Sequence, residues 1–295
     1  MKKSCVKMIC LLLSVVFLFG MSFSVYAENL SVKRQKAISF LLNAGWTTEE
    51  IYDLLTDEAI LEFAKAKAVV SSEKKFFRVT KENSIAITEE ECMEAVNSIQ
   101  NATNGISVCA AGDEIKDEVT TTDGYLTYYV EVYSIGGGEY MIGARFEWLI
   151  EPLNRRIDVF AINHCDQLTQ ISDSDEVYYV YKADYYSNFN TLSTMEINEP
   201  DEMYISAGHG TAITQNLLGS QYISFINHRG YLQYKAEVNN TTATILSVNA
   251  EYLHQQGVFG VSPSISFGDM SIGVDYSTFF KRMSPNPYLT FSADF

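Results

Sequence analysis

Apolar and polar positions alternate most regularly between Gly124 and Ile162. Leu126, Tyr128, Val130 and Val132 fall on one side of an extended chain, and Thr127, Tyr129, Glu131 and Tyr133 on the other, which is the period-two pattern of a strand. Gly136-Gly137-Gly138 then suits a tight turn, because glycine adopts positive φ without steric cost. From Tyr140 onward Ile142, Ala144, Phe146, Trp148 and Ile150 share a face against Gly143, Arg145 and Glu147, until Pro152 and Asn154 stop the run. The stretch predicts three consecutive antiparallel strands around which the rest of the chain is organised.

Residues 31–70 carry a helical period instead. Ala37, Ile38, Phe40, Leu41 and Leu42 form a broad apolar face closed by Gly45. Thr47 to Glu50 has the form of a capping box, Thr56 caps a further short helix bearing Ile60, Leu61 and Phe63, and Thr88 to Glu91 opens a helix to about Ile99. Lys75 to Thr80 reads as a short strand. Residues 101–122 have small and polar side chains without a sustained period, as expected of a linker.

Beyond Asp123 strand follows strand. Asn239-Asn240 between Tyr231–Val238 and Thr241–His254, and Gly268-Asp269 between Val258–Phe267 and Met270–Phe279, are two-residue hairpin signals. Eight to ten short strands without long helices predict an α+β chain: a small helical N-terminal region over 28–100, a linker over 101–122, and an antiparallel β-sandwich over 123–295.

The first 27 residues change the cellular picture. Lys2, Lys3 and Lys7 precede an apolar run from Met8 to Phe19, and Ser24-Val25-Tyr26-Ala27 precedes Glu28, which reads as a secretory signal peptide cleaved after Ala27. No later stretch is long and apolar enough for a spanning helix, so the expectation is a secreted or envelope-associated mature chain. The whole chain carries −16, and loss of the three leader lysines leaves 18 basic and 37 acidic residues, or −19. Such an acid excess argues against a nucleic-acid partner. Cys92, Cys109 and Cys165 remain after cleavage. Three cysteines permit at most one internal bridge: a Cys92–Cys109 disulfide would close a short loop, Cys109–Cys165 would tie the linker to the sheet, and all three as free thiols is a further alternative.

Candidate chemistry is sparse. His164, His209, His228 and His254 lack partners at metal-ligand spacing, there is no HExxH, CxxC or GxSxG, and no motif calls for a cofactor or a resident metal. Ser206 to Thr211 exposes His209 between two glycines, in the manner of an anion nest. Acidic runs at Asp173 to Glu176 and Glu199 to Glu202 lack calcium-loop spacing.

Asp123-Gly124-Tyr125, Arg145-Phe146-Glu147-Trp148-Leu149, Pro152, Asp158-Val159, Asn227-His228-Arg229-Gly230-Tyr231, Tyr252-Leu253-His254-Gln255 and Pro263-Ser264-Ile265-Ser266 resemble a group of secreted proteins of unknown function from Gram-positive Firmicutes. The likeness spans about residues 120 to 290. It implies export and a shared β domain, and it assigns no catalytic residue. It draws attention to His228, Arg229 and Tyr231, a basic pair beside an aromatic that could meet a carboxylate or phosphate, unless Arg229 pairs with an internal acid such as Asp158 or Glu147.

The sequence therefore points first to a non-catalytic interaction protein with a protein or cell-envelope ligand, and His209, His228, Arg229 and Tyr231 as binding candidates. Second comes a secreted hydrolase built around His209 or around His228 and Arg229. Third comes a membrane-active β-type toxin, suggested by the Thr, Ser, Ala and Ile mixture of Thr241 to Ser247 and opposed by Glu251 and His254.

Overall fold

A computed structural model of the chain describes residues 30–80, 83–104, 123–152, 156–185, 192–198, 201–206, 208–217, 223–240, 242–256, 263–275 and 279–295. It divides into two compact units at Ala66 and Lys67. The first contains α1 (residues 30–43), α2 (Thr48–Leu54), α3 (Asp57–Glu62) and a short 3-10 turn. Thr47 and Glu50 complete the predicted capping box in both directions, and the Thr56 hydroxyl accepts from the Ala59 N–H. Helices this short do not persist alone. Leu41, Trp46, Ile51, Leu54, Ile60 and Phe63 are buried, and Trp46 meets Phe63 edge-on with centroids 6.1 Å apart.

The second unit is antiparallel β structure with one long helix. In chain order it runs β1 (Ala68–Val79), β2 (Ser84–Ile87), α4 (Glu89–Asn104), β3 (Gly124–Gly136), β4 (Glu139–Ile150), β5 (Ile157–His164), β6 (Leu168–Gln170), β7 (Glu176–Tyr185), β8 (Leu192–Asn198), β9 (Glu202–Ser206) and β10 (Gly210–Asn216). It continues through β11 (Ile223–Val238), β12 (Ile245–Gln255), β13 (Ile265–Gly268), β14 (Ser271–Val274), β15 (Phe280–Arg282) and β16 (Tyr288–Ser292). One sheet has the order β2-β1-β3-β4-β11-β7-β8, with β6 also on β11. The other has β15-β12-β5-β10-β9, with β16 also on β12. The fold is α+β and sandwich-like, as the alternation predicts.

The faces follow the pattern too. Leu126, Tyr128, Val130 and Val132 of β3, and Ile142, Ala144, Phe146 and Trp148 of β4, enter one core with Phe160 and Ile162 of β5 and Leu246, Val248, Ala250 and Tyr252 of β12. Gly136, Gly137 and Gly138 all have positive φ at the β3–β4 turn. α4 lays Cys92 and Val96 on Phe76 and Tyr125, beneath a capping box in which Glu91 N–H donates to Thr88 Oγ1 and Thr88 N–H to Glu91.

Several connections differ from the sequence expectation. The third strand of the opening stretch, β5, does not pair with β4; it belongs to the opposite sheet, where it lies between β10 and β12. β4 instead takes β11 as its neighbour. Asn239-Asn240 makes no hairpin, because β11 and β12 lie in different sheets. The asparagine side chains hold a crossover: Asn240 accepts from the Thr242 N–H and hydroxyl, and Asn239 donates to Asp166 O and Thr169 Oγ1. The β13–β14 pair is shorter than predicted and turns at Asp269-Met270, with Met270 at φ 54°. β1 runs the length of β3 rather than six residues. The predicted linker falls outside the described residues beyond Asn104, which ends α4.

Candidate functional site

One cluster of buried polar side chains, Asp158, His228 and His254 among them, lies where β4 and β12 end and β5 begins. Asp158 lies on the same face of β5 as Phe160 and Ile162, so the strand carries its carboxylate into the space between the sheets. It is fully buried there and receives three side chains. Trp148 Nε1 donates to Oδ2 at 3.2 Å, the Tyr252 hydroxyl donates to the same oxygen, and His254 Nδ1 lies 2.6 Å from Oδ1. A carboxylate only accepts, so Nδ1 carries the proton of that bond. His254 and Asp158 are cross-strand partners, so the backbone register itself sets the pair.

A second histidine enters the same end of the sandwich. β11 bulges between Ile226 and Arg229, with Asn227 at φ 55°, and the extra residue turns His228 inward. His228 Nδ1 bonds the Tyr179 hydroxyl, its ring stacks on Tyr179 with centroids 5.7 Å apart, and its Nε2 lies 3.7 Å from Glu151 Oε2. The His228 N–H donates to Glu151 Oε1 at 3.1 Å. Asn227 Nδ2 donates to Glu147 Oε1 at 2.6 Å. Burial raises the Tyr252 hydroxyl's pKa far above its ordinary value, and the Asp158 charge and Tyr179 add to that rise.

The other histidines sit at the far end of β5. Asp158 and His164 are six residues apart, or ~20 Å along a strand. His164 is 1% exposed, its Nδ1 lies 3.1 Å from Cys165 O, and its ring meets Tyr234 edge-on. Burial lowers its pKa, the bond to Cys165 opposes that, and His209 adds to the lowering. The His164 N–H donates to His209 O, while His209 Nδ1 is 4.0 Å from Asp166. Gly210 follows at φ 135°, against the Ile162 carbonyl where a side chain has no room, so the glycine beside His209 answers a backbone demand.

Arg229 and Tyr231 are brought to neither surface nor cleft. Arg229 is 2% exposed, in register with Glu147 on β4 and Val180 on β7. Tyr231 is wholly buried on the opposite face of its sheet, where its hydroxyl donates to Gln233. Its neighbours on that face include Glu131, 1% exposed, which accepts from Tyr133 and lies 3.6 Å from Arg145. Of the four binding candidates, only His209 keeps substantial exposure, at 36% of its side chain. Cys92 is buried, with its thiol pushed up to about 11 chiefly by burial, and Cys109 lies outside the described residues.

Among the described residues no three histidine, cysteine or acidic side chains gather as a metal site. The Asp175 carboxylate of one acidic run is used internally, accepting from Gln170 Nε2 and Thr211 Oγ1 at 2.6 Å each. A further buried acid, Glu251, pairs with Arg282 and accepts from the Ile272 N–H at 2.9 Å, fastening β14 over the outer face of its sheet. No helix of the described residues is long and apolar enough to cross a membrane.

No family model matches the sequence. No curated protein matches it. Among solved structures, the pilus backbone (RrgB) of Streptococcus pneumoniae is similar at a TM-score of 0.28 and 11% identity, over 44% of this chain and 28% of that one. The match thus spans less than a third of that protein's length.

Proposed function

We propose that the chain is a non-catalytic interaction protein acting outside the cytoplasm or on the cell envelope. One observation carries the reading: Asp158 is sealed between the sheets and takes Trp148, Tyr252 and His254 at once. A general base must reach a substrate proton, whereas this carboxylate is engaged with three side chains from β4 and β12. The pairs at Asp158, Glu151 and Glu251 act as internal fasteners of the sandwich, and function is left to the surface. The leader-like first 27 residues and the resemblance to exported Firmicutes proteins support the location.

A hydrolase is the second reading. It is favoured by the 2.6 Å His254–Asp158 pair, since an acid that orients an imidazole is half of a nucleophile-activating arrangement. Purified chain incubated with isolated Gram-positive envelopes separates the two. Saturable co-sedimentation, with no turnover of ester, peptide or glycoside panels, is the expected result. Turnover that disappears in a folded His254→Ala variant hands the site to the hydrolase.

A further inference from the structure

We propose that β9 is the seam of a two-fold dimer, in which two copies of the chain join their sheets edge to edge. β9 pairs with β10 along one side, and among the described residues no strand pairs with its other side. An open edge offers a row of backbone donors and acceptors to another chain. This edge is also apolar: Met203 is 46% exposed and Ile205 53% exposed. Their cross-strand partners, Ile213 and Thr211, are buried between the sheets, so both side chains project on the inner face where the sandwich stands open.

The occupant follows from parity and charge. A two-fold axis perpendicular to the sheet makes the joined strands antiparallel, and residues facing one another must point to the same side. Only registers centred on a residue satisfy this. Centring on Met203 sets Asp201 against Ile205. Centring on Ile205 leaves Met203 beyond the end of the partner strand. Centring on Tyr204 uses all five residues: Met203 meets Ile205 of the second copy twice, Tyr204 meets its counterpart, and Glu202 meets Ser206 instead of another acid. β9 is thus complementary to itself. Five residues a side make a small contact, well below the ~1,600 Å² of a standard interface, so the dimer is weak, in the micromolar range or above. Two chains of net charge −16 repel, and added salt tightens the association. The inference stands whether or not the chain turns over a substrate.

Sedimentation equilibrium of the purified chain, from about 1 µM to about 1 mM, tests it. A monomer–dimer equilibrium that strengthens with salt is expected, together with at least ~10-fold weaker association for Ile205→Lys at an unchanged melting temperature. Under mild oxidation, a mixture of Met203→Cys and Ile205→Cys chains crosslinks between those positions faster than either chain alone, since facing residues lie within disulfide reach. Mass spectrometry separates this bond from those of the native cysteines. A monomer at every concentration overturns the proposal. So does a dimer indifferent to Ile205→Lys, or crosslinking that favours Met203→Cys alone. If Ile205→Lys fails to fold, the crosslinking arm decides.

Discussion

His254 Nδ1 stands 2.6 Å from Asp158 Oδ1, across two strands whose register makes the residues direct partners. The Tyr252 hydroxyl, two residues back on the same face, closes on the other carboxylate oxygen. Tyr252→Phe keeps the ring, with its edge-on contacts to Phe146 and Tyr128, and removes that bond together with the one the hydroxyl accepts from Trp148 Nε1 at 2.9 Å, which retains Asp158 as its other acceptor. A hydrogen bond to a charged group contributes about 1.5–3 kcal/mol, and a loss of that size is expected by urea denaturation with an unchanged slope.

Gly230 tests how tightly β11 lies on the core. Phe146 lies directly over it, and that ring is itself packed edge-on against Phe160 and Tyr252, so moving it disturbs two further core rings. Gly230→Ala is expected to cost about 1–3 kcal/mol, the usual range for overpacking, read as a lowered denaturation midpoint.

Acid sensitivity has an identifiable contributor in His164. Burial holds its folded pKa below the ordinary value near 6.5, so the unfolded chain binds the proton more readily than the folded one. This contribution is fully present above pH 6.5 and is lost as pH falls through the depressed folded pKa. His209 and Asp166 face the group with opposing effects. Urea midpoints of the wild type should therefore fall more steeply below pH 6.5 than those of His164→Gln.

Alkaline behaviour runs the other way. Tyr128, Tyr133, Tyr231, Tyr234 and Tyr252 are buried, and burial raises every one of their hydroxyls well above the ordinary value of 10. The folded chain keeps these protons where the unfolded chain releases them, so stability falls as pH rises beyond 10. A base titration should show these five ionising together with loss of structure, as a cooperative rise in tyrosinate absorbance coincident with the circular-dichroism transition.

The strands were legible because one face of each is apolar, and the helix starts because Thr47, Thr56 and Thr88 cap them with their own side chains. Sheet membership was not legible. Local alternation says which residues share a face but not which strand lies alongside, so β5 read as the continuation of the β3–β4 meander, and Asn239-Asn240 read as a hairpin although it crosses between sheets. The polar site had a faint signal: Asp158 shares a face of β5 with Phe160 and Ile162, and an acid in that position must find partners inside. His228 and Arg229 stood out in sequence as a basic pair, but the β11 bulge that turns His228 toward Glu151 and Tyr179 has no short-range signature beyond Asn227.

The most direct test of the central claim is the unfolding free energy of Asp158→Asn against the wild type, by urea titration at neutral pH. A fastener that loses its charge leaves His254 and Tyr252 buried against a poorer acceptor, and a loss of about 3–5 kcal/mol is predicted. Residues kept for catalysis are commonly held at a cost to stability. An Asp158→Asn chain as stable as the wild type, or more stable, would contradict the structural reading and turn attention to catalysis at the His254 pair.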